Sequence, residues 1–303
     1  MIAHADARPL VSIIIPTYKR SDRLGRAMDS VVSQTYRNLE ILVVDDNTPD
    51  SSFKRDTRER LRPYLGDARV RCMDTPGATG GGHARNLGIR ECKGEYVAFL
   101  DDDDRFLPDK IETQLQFTME NGLDMSYQDV QWFNEHERLV ETRKMDRVKE
   151  FTKEGLLRAH ITYAIAPTSI YMIRRDALLR TEGFGEVRRG QDFILMLRCI
   201  EAGLKIGYMP GVHVVQYLHG GERISVGEQL IDAQTEIYRL MKQYEAILSP
   251  RERKYVDFRY QSVCAFACFR GNRYAQAAQY ALRAFLISPL NSGAELLRRL
   301  RKN

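Results

Sequence analysis

Short apolar segments alternate with helix-like segments through the first hundred residues, and this alternation constrains the fold more than any other feature. Largely apolar runs span residues 10–15, 39–44 and 96–100, and residues 68–73 offer a further strand. Continuous apolar runs are typical of strands that are buried on both faces. Between the first two runs, Leu24, Ala27, Met28 and Val31 recur at helical spacing. The pattern predicts an α/β fold with a mostly parallel central sheet and flanking helices.

The chain changes character towards its C-terminus. Strand signals weaken after residue 123 and stop after residues 220–221, whereas residues 226–302 have helical patterns throughout. These patterns break near residues 249–250, 270–272 and 288–289, where glycine or proline interrupts them. We therefore predict one domain over residues 1–220, followed by an all-helical C-terminal extension over residues 221–303.

Composition excludes several classes of protein. The 303 residues are 43% hydrophobic and 29% charged, an ordinary globular balance, and the net charge of +5 is too small to indicate nucleic-acid binding. The apolar runs are too short to span a bilayer, and no secretory signal is visible near the N-terminus. Five scattered cysteines fit free thiols in a reducing compartment. We expect a cytoplasmic protein that is at most peripheral to the inner face of the cell membrane.

Polar side chains follow three of the four predicted strands. The first strand runs into Thr17, Tyr18 and Arg20, the second into Asp46, and the fourth into four consecutive aspartates at residues 101–104. Ligands of open α/β sheets bind beyond the carboxyl ends of the strands, so these turns predict a binding site at one sheet edge. Tyr18 either stacks there on a nucleobase, with Asp46 accepting from a base N–H group, or simply covers the sheet edge.

The four aspartates themselves predict a metal site. Adjacent carboxylates repel and raise one another's pKa unless a cation neutralises them. Their oxygen ligands suit a hard divalent cation such as Mn²⁺ or Mg²⁺, and the cluster directly follows a buried-type strand. The alternative is a solvated acidic loop. The glycine run at residues 80–82 indicates a turn before a helix, with a diphosphate contact by Arg85 as the less favoured interpretation.

Six blocks of sequence with preserved spacing resemble the family-2 inverting glycosyltransferases. They are VSIIIPTYKR at 11–20, SVVSQTY at 30–36, EILVVDDN at 40–47, GHARNLG at 82–88, GEYVAFLDDDD at 94–104 and PDKIE at 108–112. Two later blocks, GQDFILMLR at 190–198 and YLHGGERIS at 217–225, resemble the catalytic-base and closing segments of that family. The resemblance covers residues 10–225 and implies a GT-A (Rossmann-like) fold that binds a nucleotide-diphospho-sugar and a divalent cation.

The resemblance also implies roles for individual residues. Asp103 would ligate the metal, with Asp101 as the alternative ligand, and His219 could complete the metal or diphosphate site. Asp192 would be the general base, although the family usually has Glu-Asp where this chain has Gln191 and Asp192. The nucleotide-sugar would contact the remaining candidates, which are Pro16, Thr17, Tyr18, Arg20, Asp46, Arg85 and Asp102.

The same resemblance implies an activity, partners and a competing interpretation. It implies metal-dependent transfer of a sugar, with UDP as the favoured carrier, to a glycan or lipid-linked acceptor in bacterial surface-polysaccharide synthesis. The alternatives are a sugar-nucleotide nucleotidyltransferase, which would need a glycine-rich basic loop after the first strand, and a non-catalytic nucleotide-binding scaffold. The helical extension could pack as ordinary core, contact anionic lipid or form a homodimer. Nucleic acid is not expected as a partner.

Overall fold

The computed structural model describes residues 8–187, 189–218 and 228–300. Contacts divide the chain into two compact units. The first contains residues 1–147, 166–186 and 194–218, and the second contains residues 148–165, 187–193 and 219–303. The second unit thus includes two segments, residues 148–165 and 187–193, that the sequence assigned to the first domain. The boundary expected at residues 220–221 falls outside the described residues and stays a prediction.

Nine strands and eleven α-helices make up the described part of the chain. The strands are β1 Val11–Thr17, β2 Leu39–Asp45, β3 Val70–Asp74, β4 Tyr96–Phe99, β5 Arg105–Phe106, β6 Met125–Asn134, β7 Leu139–Arg143, β8 Met172–Arg174 and β9 Ile206–Leu218. The helices are α1 Ser21–Val32, α2 Ser52–Leu61, α3 Gly81–Glu91, α4 Lys110–Glu120, α5 Lys153–Tyr163, α6 Arg175–Leu179, α7 Gln191–Glu201, α8 Glu228–Lys242, α9 Pro250–Arg270, α10 Tyr274–Ile287 and α11 Pro289–Leu300.

The first four strands form a parallel half-sheet in the order β3-β2-β1-β4, as the alternation of strands and helices predicted. All residues of β1 and β2 are buried, which explains their largely apolar sequences. Thr17 pairs with Asp45, and Asp45 pairs with Asp74, so these strands end at the same sheet edge. Gly88 lets α3 pack directly on β1, since a Cβ atom there would lie 2.6 Å from the Ile14 Cγ2 atom.

Beyond β4 the sheet becomes mixed. It continues in the order β8-β6-β9-β5, and β7 pairs with β6. β8 is antiparallel to β4 and β6, β7 is antiparallel to β6, and β5 is antiparallel to β9, whereas β6 and β9 are parallel. The predicted α/β class with flanking helices and a helical C-terminal region is confirmed, but parallel pairing dominates only its N-terminal half.

The second unit is helical. Ser249 and Glu252 form a capping box at the start of α9, with Pro250 in the first helical turn. The interruptions of the helical pattern predicted from sequence fall before α9, between α9 and α10, and between α10 and α11. Cys264 and Cys268 are buried thiols of α9, as expected for core residues. No described helix combines the length and the apolar character needed to cross a membrane.

Candidate active site at the carboxyl edge of the sheet

The turn after β1 presents an exposed aromatic ring at this edge. Pro16 and Thr17 are the last residues of β1, and Tyr18 follows with 38% of its surface exposed. The Lys19 ammonium lies 5.0 Å from the centroid of the Tyr18 ring and 5.4 Å from that of the Phe53 ring. The Lys19 N–H group donates to the Asn47 side-chain oxygen at 2.8 Å, which fixes this turn against the turn after β2. One face of the Tyr18 ring therefore lies near a cation at the edge where the polar turns meet.

Asp46, after β2, organises a neighbouring loop. Its Oδ1 atom accepts hydrogen bonds from the Thr75 hydroxyl, the Thr79 N–H group at 2.9 Å and the Thr79 hydroxyl at 2.6 Å. Its Oδ2 atom accepts from the Gly80 N–H group at 2.8 Å. Gly80 has a positive φ of 97°, a conformation that glycine adopts without strain. Burial acts to raise the pKa of Asp46, but these hydrogen bonds outweigh burial, and the pKa is lowered.

Two arginines meet the acidic cluster that follows β4. The Arg20 Nη1 atom lies 2.6 Å from Asp103 Oδ2 and 3.5 Å from Asp102 Oδ1. Arg85, from α3, forms a short ion pair with Asp101. Arg20 comes from the turn after β1, so this turn and α3 both converge on the acidic turn after β4. Two guanidinium groups face four carboxyl groups, which leaves negative charge at this edge whenever three or more of the acids are ionised.

The two buried acids of the cluster differ from the two that meet the solvent. Burial, and secondarily the charge of Asp103, raises the pKa of Asp102 to about 7, although Arg20 opposes this shift. Burial also raises the pKa of Asp104 well above its usual value. Asp104 accepts from the Gln216 Nε2 atom at 2.9 Å and from the Tyr217 N–H group at 3.1 Å, so it fastens the cluster to β9.

The cluster offers oxygens that fit a divalent cation. Carboxylate oxygens of Asp101, Asp103 and Asp104 all lie within 4.8 Å of one another. Hard cations bind such oxygen sets, often keeping several waters in their coordination shell. This grouping contains the predicted ligand Asp103 and its alternative Asp101, and it adds Asp104, whereas Asp102 pairs with Arg20 outside it. The assignment of ligands within the cluster stays a prediction.

The candidate base lies in the second unit. Asp192 is in the first turn of α7, where its Oδ1 atom accepts from the Phe193 N–H group at 2.9 Å. The neighbouring backbone is held by His160, whose Nδ1 atom accepts from the Ile165 N–H group at 3.1 Å and whose Nε2 atom therefore donates to the Phe193 carbonyl at 2.9 Å. Burial lowers the pKa of His160 to about 4, so this imidazole is neutral at pH 7 and has a structural role. His219 lies outside the described residues.

Sequence reasoning found the acids of this edge but not their partners. It brought together Tyr18, Arg20, Asp46, Arg85 and the four aspartates, and the first unit does place them at one edge. It missed the donors of Asp46 (Thr75 and Thr79) and the donors of Asp104 on β9 (Gln216 and Tyr217). Hydroxyl and amide side chains are common in loops and strands, so only the strand order reveals what they contact.

Comparison with known proteins identifies a family. The profile described as Glycosyl transferase family 2 matches residues 12–180. The chain is 34% identical over 118 residues to an Escherichia coli protein described as the UDP-Glc:alpha-D-GlcNAc-diphosphoundecaprenol beta-1,3-glucosyltransferase WfgD, an alignment that covers 39% of this chain and 44% of that protein. The chain spans less than half the length of the curated relatives that it matches first.

Solved structures share the fold. Residues 1–349 of S. aureus TarS, crystallised with UDP-GlcNAc, superpose with a TM-score of 0.63 and 16% identity, and the match covers 91% of both chains. The mannosyltransferase PcManGT from Pyrobaculum calidifontis, in complex with GDP-Man and Mn²⁺, gives a TM-score of 0.57 at 17% identity and covers 97% of this chain and 80% of that one. These likenesses identify the fold as GT-A.

Proposed function

Because the chain belongs to glycosyl transferase family 2, we propose that it is a metal-dependent inverting glycosyltransferase. Its donor is a nucleotide-diphospho-sugar, with UDP as the favoured carrier, and its acceptor is a hydroxyl group of a glycan or lipid-linked glycan in bacterial surface-polysaccharide synthesis. The observation that carries this proposal is the acidic cluster of Asp101–Asp104 with its two arginines, at the same sheet edge as Tyr18 and Asp46. One edge thus offers groups for a cation, a diphosphate and a nucleobase.

Asp46 and Tyr18 are suited to the nucleobase. The lowered pKa keeps Asp46 ionised at neutral pH, so its carboxylate only accepts hydrogen bonds. Its Oδ1 atom already accepts three, but Oδ2 accepts a single one from Gly80, which leaves a lone pair for a base N–H group. The exposed Tyr18 ring supplies a stacking surface beside it.

The cluster and its arginines are suited to the diphosphate. A divalent cation held by Asp103, with Asp101 and Asp104, would neutralise the charge that develops on the leaving nucleoside diphosphate. Arg20 and Arg85 add two guanidinium groups beside these carboxylates, and guanidinium is the side chain that best matches phosphate oxygens. Pro16, Thr17 and Asp102 complete the wall of the donor site at the ends of β1 and β4, and His219 remains a candidate for the same site.

Asp192 is proposed as the general base. It would remove the proton of the acceptor hydroxyl as that oxygen attacks the anomeric carbon, and a single displacement inverts the configuration there. The hydrogen bond from His160 to the Phe193 carbonyl would hold the first turn of α7, and with it the Asp192 carboxylate, in a fixed position. A neutral, fully buried imidazole is suited to this supporting role because it brings no charge to the neighbourhood of the base.

Calorimetry tests the donor site. The full chain is titrated with UDP, GDP and TDP, with and without Mn²⁺, and Asp103→Ala is compared with Glu91→Ala, which removes an exposed carboxylate at the end of α3. We expect one nucleotide to bind only with Mn²⁺, binding to be lost in Asp103→Ala, and Glu91→Ala to bind normally. Binding of all three nucleotides without metal would reject the metal role, and no binding at all would reject the donor site and with it the proposed transferase.

The role of Asp192 is tested with the substitution Asp192→Asn. The donor in this assay is a sugar nucleotide that carries whichever nucleotide binds in the calorimetry. Asp192→Asn removes the basic carboxylate but keeps a hydrogen-bonding side chain of the same size. We expect nucleotide binding to be unchanged and sugar transfer or donor hydrolysis to fall by roughly 100-fold or more, the usual range for a general base. Equal loss of binding and turnover would place Asp192 in the donor site instead.

A further inference from the structure

The helix α10 has an exposed apolar face that no described residue covers. Only Ala277 and Ala284 of α10 are buried, and they face α9. At about 100° per residue, the exposed apolar residues of α10 fall in a stripe of roughly 140° that begins about 40° from Ala277. Its members, together with Leu290 at the start of α11, are called here the apolar face: Tyr274, Ala275, Ala278, Ala281, Leu282, Phe285, Leu286 and Leu290. Leu282 is 59% exposed, Phe285 52%, Leu286 71% and Leu290 89%.

The concentration of these side chains is unusual for this chain. Thirteen large apolar residues are exposed in the described part of the protein, and six of them fall within residues 269–290. Phe269, at the end of α9, extends the face because its ring centroid lies 5.7 Å from that of Tyr274. Single exposed apolar residues need no explanation, but a patch with four members on α10 and two at the adjoining ends of α9 and α11 indicates a binding surface.

The sequence around this face is strongly basic. Residues 258–303 carry eight Lys or Arg residues and a single acid, Glu295, whereas the preceding 257 residues carry 38 basic and 40 acidic ones. The positive charge of the chain is therefore concentrated at this end. Arg283 is exposed at the margin of the apolar stripe, and Arg270 is exposed at the end of α9. Between Asp257 and Glu295 the chain has no carboxylate side chain.

We propose that the apolar face of α10 and α11 docks on the surface of an anionic lipid bilayer. A helix that lies in the membrane interface buries apolar side chains at the boundary of the acyl chains and places basic ones near the phosphates. Leu282, Phe285 and Leu286 form the apolar side of such a helix, and Arg283 lies about 60° around the helix from Leu286. Each basic residue near an anionic leaflet adds electrostatic attraction, which salt weakens.

Charge favours a bilayer over a second copy of the chain. In a two-fold symmetric dimer the same patch faces itself, so the arginines of one copy would meet those of the other. Because residues 258–294 contain no acid, no carboxylate of this segment could offset that repulsion. An anionic membrane offers both the missing negative charge and an apolar phase. This inference does not depend on the proposed donor site.

Vesicle flotation with the full chain tests the proposal. The vesicles are phosphatidylcholine alone or phosphatidylcholine with about 30% phosphatidylglycerol. Three variants are compared with the wild type: the apolar variant Leu282→Gln/Phe285→Gln/Leu286→Gln, the charge variant Arg270→Gln/Arg283→Gln, and a matched control, Leu139→Gln/Phe151→Gln/Leu179→Gln, which changes exposed apolar residues elsewhere. All substituted side chains are exposed, so the melting temperatures should stay within a few degrees of the wild type.

We expect the wild type and the matched control to float with the anionic vesicles. With the neutral vesicles, both proteins should remain at the bottom of the gradient. The apolar variant should lose at least tenfold in the bound fraction, and the charge variant should lose less and become less sensitive to salt than the wild type. Equal flotation of the wild type and the apolar variant would overturn the proposal, as would a wild type that binds neither vesicle. A wild-type dimer in light scattering that the apolar variant abolishes would also overturn it in favour of self-association. Asp103→Ala should still float, which separates this test from that of the donor site.

Discussion

The acids after β2 and after β4 lie at the same sheet edge but are satisfied in opposite ways. Asp46 accepts four hydrogen bonds from uncharged donors of one loop, and its pKa is lowered. The acids after β4 depend on two arginines and on one another, and burial raises the pKa of both Asp102 and Asp104. Both turns follow strands whose residues are buried.

The difference separates a carboxylate that its own loop satisfies from carboxylates that a cation would neutralise. Asp46 has enough donors to be stable as an anion, so its first role is to hold the loop that contains Thr75, Thr79 and Gly80. The cluster has too few donors, and a cation would remove this deficit. A carboxylate is therefore a candidate ligand when its own chain fails to neutralise it, and proximity to a strand end alone does not distinguish the two cases.

The largest expected effect is on stabilisation by metal. A ligand present at a hundred times its Kd stabilises the folded state by about 2.7 kcal/mol. We expect Mn²⁺ to raise the melting temperature of the wild type, Asp101→Asn/Asp103→Asn to lose this rise, and Asp46→Asn to keep it. Differential scanning fluorimetry over a Mn²⁺ titration measures all three. A full rise in the double variant would remove the contrast between the two turns.

Asp46→Asn should instead destabilise the protein whether or not metal is present. The amide would turn an NH₂ group towards either the Thr79 or the Gly80 N–H group, so a buried donor would lose its acceptor, at a cost of about 1–3 kcal/mol. Urea denaturation with and without Mn²⁺ measures the loss. Thr79→Val, which removes one of the donors but leaves the carboxylate, should cost less. A loss of stability that Mn²⁺ abolishes would place Asp46 with the metal ligands.

Arg85→Met tests whether the arginine that pairs with Asp101 stabilises the acidic cluster in the absence of metal. Without Arg85 the carboxylate of Asp101 loses its partner, and the free energy of unfolding should fall by about 1 kcal/mol in metal-free buffer. Mn²⁺ should restore most of this loss because the cation supplies the missing positive charge. Arg58→Met, which breaks an exposed ion pair to Asp74, is the matched control and should show little loss and no restoration. A loss in Arg85→Met that persists in Mn²⁺ would indicate a packing role against Phe184, whose ring centroid lies 5.4 Å from the guanidinium.

Sequence predicted the class of fold and the residues of the strand ends, but not how these residues are partnered. The apolar runs and the chain direction dictate that β1, β2 and β4 end at one edge, so Tyr18, Asp46 and Asp101–Asp104 followed from local patterns. The antiparallel insertion of β8 and the pairing of β9 with β5 and β6 depend on contacts between distant segments, which no local pattern encodes. The donor Gln216 reaches Asp104 only through that topology, whereas Thr79 reaches Asp46 because β3 pairs with β2.

The smallest expected effect is a pH dependence that belongs to Asp46. A carboxylate whose pKa is lower in the folded state contributes stability above its unfolded pKa, near 3.8, and loses that contribution as the pH falls through the folded value. The difference in unfolding free energy between the wild type and Asp46→Asn should therefore be constant from pH 7 to about 5 and shrink below pH 4. Thr79→Val removes one of the hydrogen bonds that lower the pKa, so in that variant the fall should be smaller and should end at a higher pH. A stability difference that stays constant to pH 3, or a Thr79→Val profile that matches the wild type, would show that the loop does not stabilise the anion of Asp46. The acids after β2 and after β4 would then differ in where they lie and not in how their charge is stabilised.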